Sequence, residues 1–117
     1  MAIILYHNPK CSTSRRTLEL LESQGIKPTI IEYLKTPPNK SQLKKILRAL
    51  KMEPRDLMRK KDAEYKGARL DDPRLTRDAL MMAIVANPRL MERPIVVNGE
   101  RAAIGRPPEN VLRILTP

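Results

Sequence analysis

Cys11 is the only cysteine in a chain of 117 residues, and what surrounds it bears on its chemistry. It follows the short apolar run Ala2 to Tyr6 and the turn-forming pair Asn8-Pro9, and it precedes Ser12-Thr13-Ser14, where a helical pattern opens. A thiol at such a junction faces the unpaired N–H groups and the positive end of the helix, and both favour the thiolate. His7, Lys10, Arg15 and Arg16 stand within a few residues, and any that reaches the sulfur lowers its pKa further. Most free cysteines are small buried hydrophobes. The polar, basic flanks favour a nucleophilic thiolate here.

Ser14 stands where a dithiol motif places its second cysteine, so Cys11-Ser12-Thr13-Ser14 can attack but cannot resolve itself, and a partner thiol has to come from outside. Ser14 can equally serve as a helix cap or first-turn residue. His7 is the only histidine, which leaves a metal site without its usual companions, so no metal is expected and a role in orienting the loop is preferred. Two further strings hold chemistry-bearing arginines. Arg93-Pro94-Ile95-Val96-Val97 sets a guanidinium before a proline that opens a strand, with a cis peptide bond as one option. Gly105-Arg106-Pro107-Pro108 puts another between a strand end and a first helical turn, where its planar fork can take two oxygens of one anion.

The elements that must carry these residues follow from periodicity. Ile3 to Tyr6 reads as a short buried strand, and apolar Leu18 and Leu21 place a helix over Thr13–Gln24, capped by Ser12, Thr13 or Ser14 and stopped at Gly25. Pro28 to Tyr33 is β-branched, completing a β-α-β unit with a right-handed parallel crossover. After Pro37-Pro38, Leu43, Ile46, Leu47 and Leu50 fall on one helical face, with Asn39 or Ser41 as cap. A short helix is expected from Pro54 through Leu57, Met58 and Arg59, and another from Thr76 through Val85, ending before Asn87-Pro88. Pro94 to Val97 and Ala102 to Ile104 flank the hairpin signal Asn98-Gly99, and a last helix is expected near Pro108 to Leu115. Together these predict an α/β chain of thioredoxin-like fold: a mixed four-stranded sheet, βαβ plus ββα, with a helical insert.

Composition narrows the setting. A chain of this length holds one domain, and 41% hydrophobic with 31% charged residues is a globular balance. The excess of 23 basic over 13 acidic residues, a formal +10, attracts anions of any kind. With only Tyr6, Tyr33 and Tyr65 as aromatics there is little to stack bases on, so nucleic acid ranks well below small oxyanions as partner. The longest apolar run, Ala79 to Ala86, is far short of the roughly 20 residues a membrane span needs, and no signal-peptide core is seen. A lone cysteine and no leader make a cytoplasmic, reducing setting the expectation.

The strings Tyr6-His7-Asn8-Pro9-Lys10-Cys11, Leu57-Met58-Arg59-Lys60, Arg93-Pro94-Ile95-Val96-Val97 and Ile104-Gly105-Arg106-Pro107 occur in one order across almost the whole chain. In that combination the sequence resembles the ArsC family of glutaredoxin-dependent arsenate reductases, and Leu90-Met91-Glu92-Arg93-Pro94 is similar to its reductase-like branch. The resemblance implies a single thioredoxin-like domain over 1–117 with a helical insert over about 39–90. It implies that Cys11 attacks arsenate while Arg59, Arg93 and Arg106 bind the oxyanion, with His7, Ser14 and Arg15 in support. It further implies glutathione as co-substrate, glutaredoxin as reducing partner, no bound cofactor, and a monomer. The alternatives are a thiol-dependent reductase for another substrate, or a non-enzymatic Spx-like regulatory module. The two-cysteine switch typical of such regulators is missing here, because Ser14 occupies the second position.

Overall fold

Three adjacent strands end in one row, and that row places the candidate site. β1 (Ile3–His7) pairs in parallel with β2 (Thr29–Glu32) and antiparallel with β3 (Ile95–Asn98), and β3 pairs antiparallel with β4 (Arg101–Ile104), giving the sheet order β2-β1-β3-β4. Tyr6 faces Ile95 and Ile95 faces Ile104. Chain leaving β1 toward Cys11, entering β3 from Arg93-Pro94 and leaving β4 into Gly105-Arg106 therefore meets at one edge. The structure is a computed structural model that describes residues 2–115, so Met1, Thr116 and Pro117 of the expected 1–117 domain lie outside the described residues.

Strand alternation sends side chains to both faces of the sheet. On one face Leu5, Val96 and Ala103 pack with Leu21 of α1 (Ser12–Ser23) and with Val111 and Ile114. On the other, Tyr6 and Ile95 pack with Leu43, Ile46 and Leu47 of α2 (Lys40–Leu50) and Ile84 of α4 (Arg77–Ala86). The periodic stripe of α2 is the one visible in the sequence, and Asn39 and Gln42 close a reciprocal capping box at its start, at 2.8 and 2.9 Å. A 3-10 turn (Pro54–Leu57), α3 (Ala63–Gly67), α4 and a second 3-10 turn (Pro88–Leu90) complete the helical stretch between β2 and β3. A mixed four-stranded sheet covered by helices on both faces and carrying this helical insert is a thioredoxin-like fold.

Several expectations need correction. The N-cap of α1 is Cys11, with no side-chain cap bond, rather than Ser12, Thr13 or Ser14, and the helix starts at Ser12. The segment from Pro54 is a 3-10 turn ending at Leu57, and Met58 has left it to form an antiparallel bridge with Met91. α3 has no apolar stripe and was missed. The hairpin turn is Gly99-Glu100, one residue later than expected, because Asn98 still pairs with Arg101 and its amide donates to the Ile114 carbonyl at 2.7 Å. Gly99 supplies the positive φ of 64°. The final helix is a 3-10 helix (Pro108–Ile114), in which residues three apart eclipse, so Val111 and Ile114 face the core together.

Gly105 is where helix, strand and loop come closest. Its N–H donates to the Pro94 carbonyl at 2.9 Å, and a Cβ there would lie 2.6 Å from Thr17 Oγ1 and 2.9 Å from Pro94 Cγ. Thr17 is fully buried, and its hydroxyl donates to the Thr13 carbonyl, so it has little room to yield. Gly105→Ala is expected to destabilise the fold by about 2 kcal/mol through overpacking, read as a lower midpoint in denaturant melting. An unchanged midpoint would show that α1 and the Pro94 loop part easily.

Candidate functional site

Cys11 ends a tight loop that the local sequence builds. The Cys11 N–H donates to the Asn8 carbonyl at 3.0 Å, and the Cys11 carbonyl accepts the Arg15 N–H at 3.0 Å to start α1. Asn8 folds over the loop by accepting the Lys10 N–H on its side-chain oxygen, and Arg15 ties it down by donating to the Pro9 carbonyl at 2.8 Å. The sulfur is partly exposed and unpaired in any disulfide. Burial pushes its pKa up and is the largest single influence. The Ser14 N–H, the Arg93 charge, the Thr13 N–H and the Arg106 charge together outweigh it, leaving the thiol below its ordinary value.

The arginines reach this sulfur from distant parts of the chain. Arg106 donates through Nη2 to Cys11 Sγ at 3.6 Å and through Nε to the Arg93 carbonyl at 2.9 Å, so its fork is oriented from both sides. Arg93 precedes Pro94 at the start of β3, and the Arg93–Pro94 peptide is cis, as is Arg106–Pro107. Arg59 is brought alongside by strand-like stitching. Around the Met58–Met91 bridge, the Arg59 N–H donates to Leu90 at 2.8 Å and the Glu92 N–H to Leu57 at 2.7 Å. Arg59, Arg93 and Arg106 all line one cavity of about 890 Å³, and Arg106 connects it to Cys11, which is not itself among the lining residues. The structure thus gathers Cys11, Arg59, Arg93 and Arg106.

His7 and Ser14 stand differently from what nearness to Cys11 suggests. His7 is buried, with Nδ1 2.6 Å from Ser14 Oγ, and that oxygen also accepts the Asn8 N–H at 3.0 Å. Burial pushes the imidazole down from its ordinary pKa, Glu32 opposes this and Arg15 adds to it, so His7 is largely neutral near pH 7. The pair locks the Asn8–Cys11 loop onto the first turn of α1. Ser14 serves the sulfur through its backbone N–H, while its hydroxyl is committed to His7 and Asn8.

Two residues here escaped the sequence reading. Tyr33 is 2% exposed, its hydroxyl is bonded by the Asn8 side chain, and it lies within the electrostatic reach of Arg93, Cys11 and Arg59. Burial pushes its pKa up, so the phenol stays protonated and able to donate. Asp62 holds Arg59 at 3.2 Å and Arg89 at 3.6 Å, with its side chain only 6% exposed. The Glu64 N–H, with Arg89 and Arg59, keeps its carboxyl below the usual range. A tyrosine at a strand end and an aspartate in a polar turn have no periodicity to mark them.

What can this arrangement do? A thiol of lowered pKa at a helix N-terminus, with the Arg106 guanidinium against it and the Arg93 charge acting on it, can attack an electrophilic centre carried by an anion. Among the described residues no group of three or more His, Cys, Asp or Glu side chains could hold a metal ion, and no helix is long and apolar enough to cross a membrane. Fold and site define a thiol-based protein of the thioredoxin-like class. The ArsC family matches residues 6–114, and the chain belongs to that family. It is 50% identical to the uncharacterized protein YfgD of Escherichia coli, over 95% of this chain and 94% of that one. It is 48% identical to an arsenate reductase of Haemophilus influenzae, over 98% of this chain and all of the relative. The solved structure of an arsenate reductase from Vibrio cholerae superposes with a TM-score of 0.95 at 50% identity, covering 97% of this chain and 98% of that one.

Proposed function

We propose that this protein reduces arsenate to arsenite, with Cys11 as the nucleophile and Arg59, Arg93 and Arg106 holding the oxyanion. The observation that carries the reading is the Arg106 guanidinium placed 3.6 Å from the Cys11 sulfur, in a cavity that Arg93 and Arg59 also border. Two like unit charges 4 Å apart repel by about 4 kcal/mol at an effective dielectric constant of 20, and arsenate near neutral pH carries more than one. Fixed positive charge around both partners offsets that repulsion.

The thiolate displaces one oxygen from arsenic, which leaves as water after protonation, and a sulfur–arsenic(V) bond forms. The thiol of glutathione then supplies the second sulfur. The glutathione sulfur bonds to the Cys11 sulfur as the sulfur–arsenic bond breaks, so the two thiols end as a mixed disulfide and the bond's electron pair stays on arsenic, which leaves as arsenite. Glutaredoxin attacks the mixed disulfide, takes up the glutathione and returns Cys11 to its thiol. With Ser14 in the second position no internal thiol competes for this step. On this reading the protein acts as a cytoplasmic monomer without a bound cofactor.

The test is arsenite formation by the purified protein with arsenate, glutathione and glutaredoxin, each omitted in turn. The expected result is turnover that fails in every omission. Turnover without glutathione would replace the single-cysteine cycle, and no turnover with all three present would remove arsenate as the substrate.

A further inference from the structure

The cavity that Arg59, Arg93 and Arg106 border is too large for the anion they would hold. Its volume is about 890 Å³. A tetrahedral oxyanion takes roughly the space of two or three waters at ~30 Å³ each, whereas cavities of about 300–1,000 Å³ enclose molecules of drug size. The remainder has its own character. Lys60 and Lys61 border it on the turn that follows Arg59, and Arg113 borders it on the C-terminal 3-10 helix. Asn110 and Arg113 are three residues apart and so share the face opposite Val111 and Ile114, which are buried. Asn110 is fixed by donating to the Arg106 carbonyl at 2.8 Å, and the Arg113 carbonyl accepts from Arg101. Met52 and Ile104 add apolar lining, and Glu92 contributes a carboxylate.

We infer that this part of the cavity is the docking site for the thiol co-substrate, a small zwitterionic peptide such as glutathione, with Lys61 and Arg113 receiving its two carboxylates. The inference rests on the reading of the protein as a glutathione-using arsenate reductase. Charge complementarity selects this occupant. Glutathione has two carboxylates, one ammonium, an apolar methylene stretch and a thiol, and the lining offers Lys60, Lys61 and Arg113 outside the oxyanion set, the carboxylates of Glu92 and Asp56 beside an Asp62 already held by Arg59, and apolar side chains. A polyphosphate or an inorganic anion would find Glu92 repulsive. The cavity is also continuous with Arg93 and Arg106, which flank Cys11, so a peptide lying in it can present its sulfur to an arsenic atom bound at Cys11.

The test uses S-methylglutathione, which cannot react, titrated against the full-length protein with backbone amide NMR shifts as readout, beside steady-state kinetics of a Lys61→Glu/Arg113→Glu protein. Expected are shifts at residues 60–61 and 110–113, lost in the double variant. The KM for glutathione should rise at least about tenfold, with kcat at saturating glutathione kept within about threefold. Lys61→Gln/Arg113→Gln should give a smaller rise and guards against misfolding of the charge reversal. Shifts confined to other surfaces, or an unchanged KM for glutathione in both folded variants, would overturn the inference. So would tripolyphosphate displacing the probe while the double variants keep normal glutathione kinetics. Binding of S-methylglutathione needs no arsenate chemistry. A wild-type protein that binds the probe at these residues yet forms no arsenite would therefore sink the arsenate reading and leave the docking site standing.

Discussion

Cys11→Ser is expected to abolish arsenite formation, by roughly 10⁴-fold or more, because an acceleration that proceeds through a covalent adduct collapses when its nucleophile is removed. The fold should survive. Cys11 occupies the N-cap of α1 without making a side-chain cap bond, and serine is among the preferred residues there, worth about 1 kcal/mol over a non-capping side chain. The variant should thus be inactive and, on the acid side where the native thiol is protonated, at least as resistant to denaturant as the native protein. Measurable turnover by the serine protein would move the chemistry elsewhere in the chain. Loss of activity together with a large fall in stability would mean that the sulfur also holds the loop.

The second large effect is expected at Arg106. Arg106→Ala removes the guanidinium that contacts the sulfur at 3.6 Å and the bond that orients the Arg93 carbonyl. Loss of one preorganised donor in a site of this kind typically costs about 10²–10³-fold in rate. The pH dependence separates an electrostatic role from a merely structural one. Arg106 is one of the groups that hold the Cys11 thiol below its ordinary value, so removing it raises the thiol pKa, and the pH profile of Cys11 alkylation should move to higher pH. The same shift has a stability signature of definite sign. An acid whose folded pKa lies below its unfolded one adds stability that is complete above the unfolded value and is lost as pH falls through the folded value. Native protein should gain stability on the alkaline side relative to Cys11→Ser, and Arg106→Ala should show less of that gain. An alkylation profile that does not move would confine Arg106 to binding the anion.

Much of this was legible in the sequence because it rests on short-range rules. Ile3 to Tyr6, the amphipathic run of α2 and the Asn39 and Thr76 caps are written in side-chain type and spacing, and the capping bonds at both residues are present. The place of Cys11 between strand and helix was legible, and the structure does set it at the start of α1 with a lowered thiol pKa. Arg59, Arg93 and Arg106 were legible only through their shared resemblance to a family, since nothing local brings together residues so far apart in the chain. What does so is the Met58–Met91 bridge and the common ending of β1, β3 and β4, both products of tertiary pairing. His7 was legible more simply, as a lone imidazole with no metal-binding companions. Its preferred part was to orient the loop, and strand alternation does turn it away from the sulfur toward α1 and Ser14. The last helix near Pro108 to Leu115 was legible as a helix but not as a 3-10 helix, because Val111 and Ile114 fit either period.

Asp62 has a consequence for how an anion is received. One carboxylate grips Arg59 and Arg89, and Arg106 is tethered to the Arg93 carbonyl, so long side chains that each carry about 2 kcal/mol of rotamer entropy are held by the protein's own groups. On the proposed reading, an anion of fixed tetrahedral shape would meet Arg59 and Arg106 already oriented. Selectivity by size and shape, rather than mere appetite for negative charge, is what such stiffness confers.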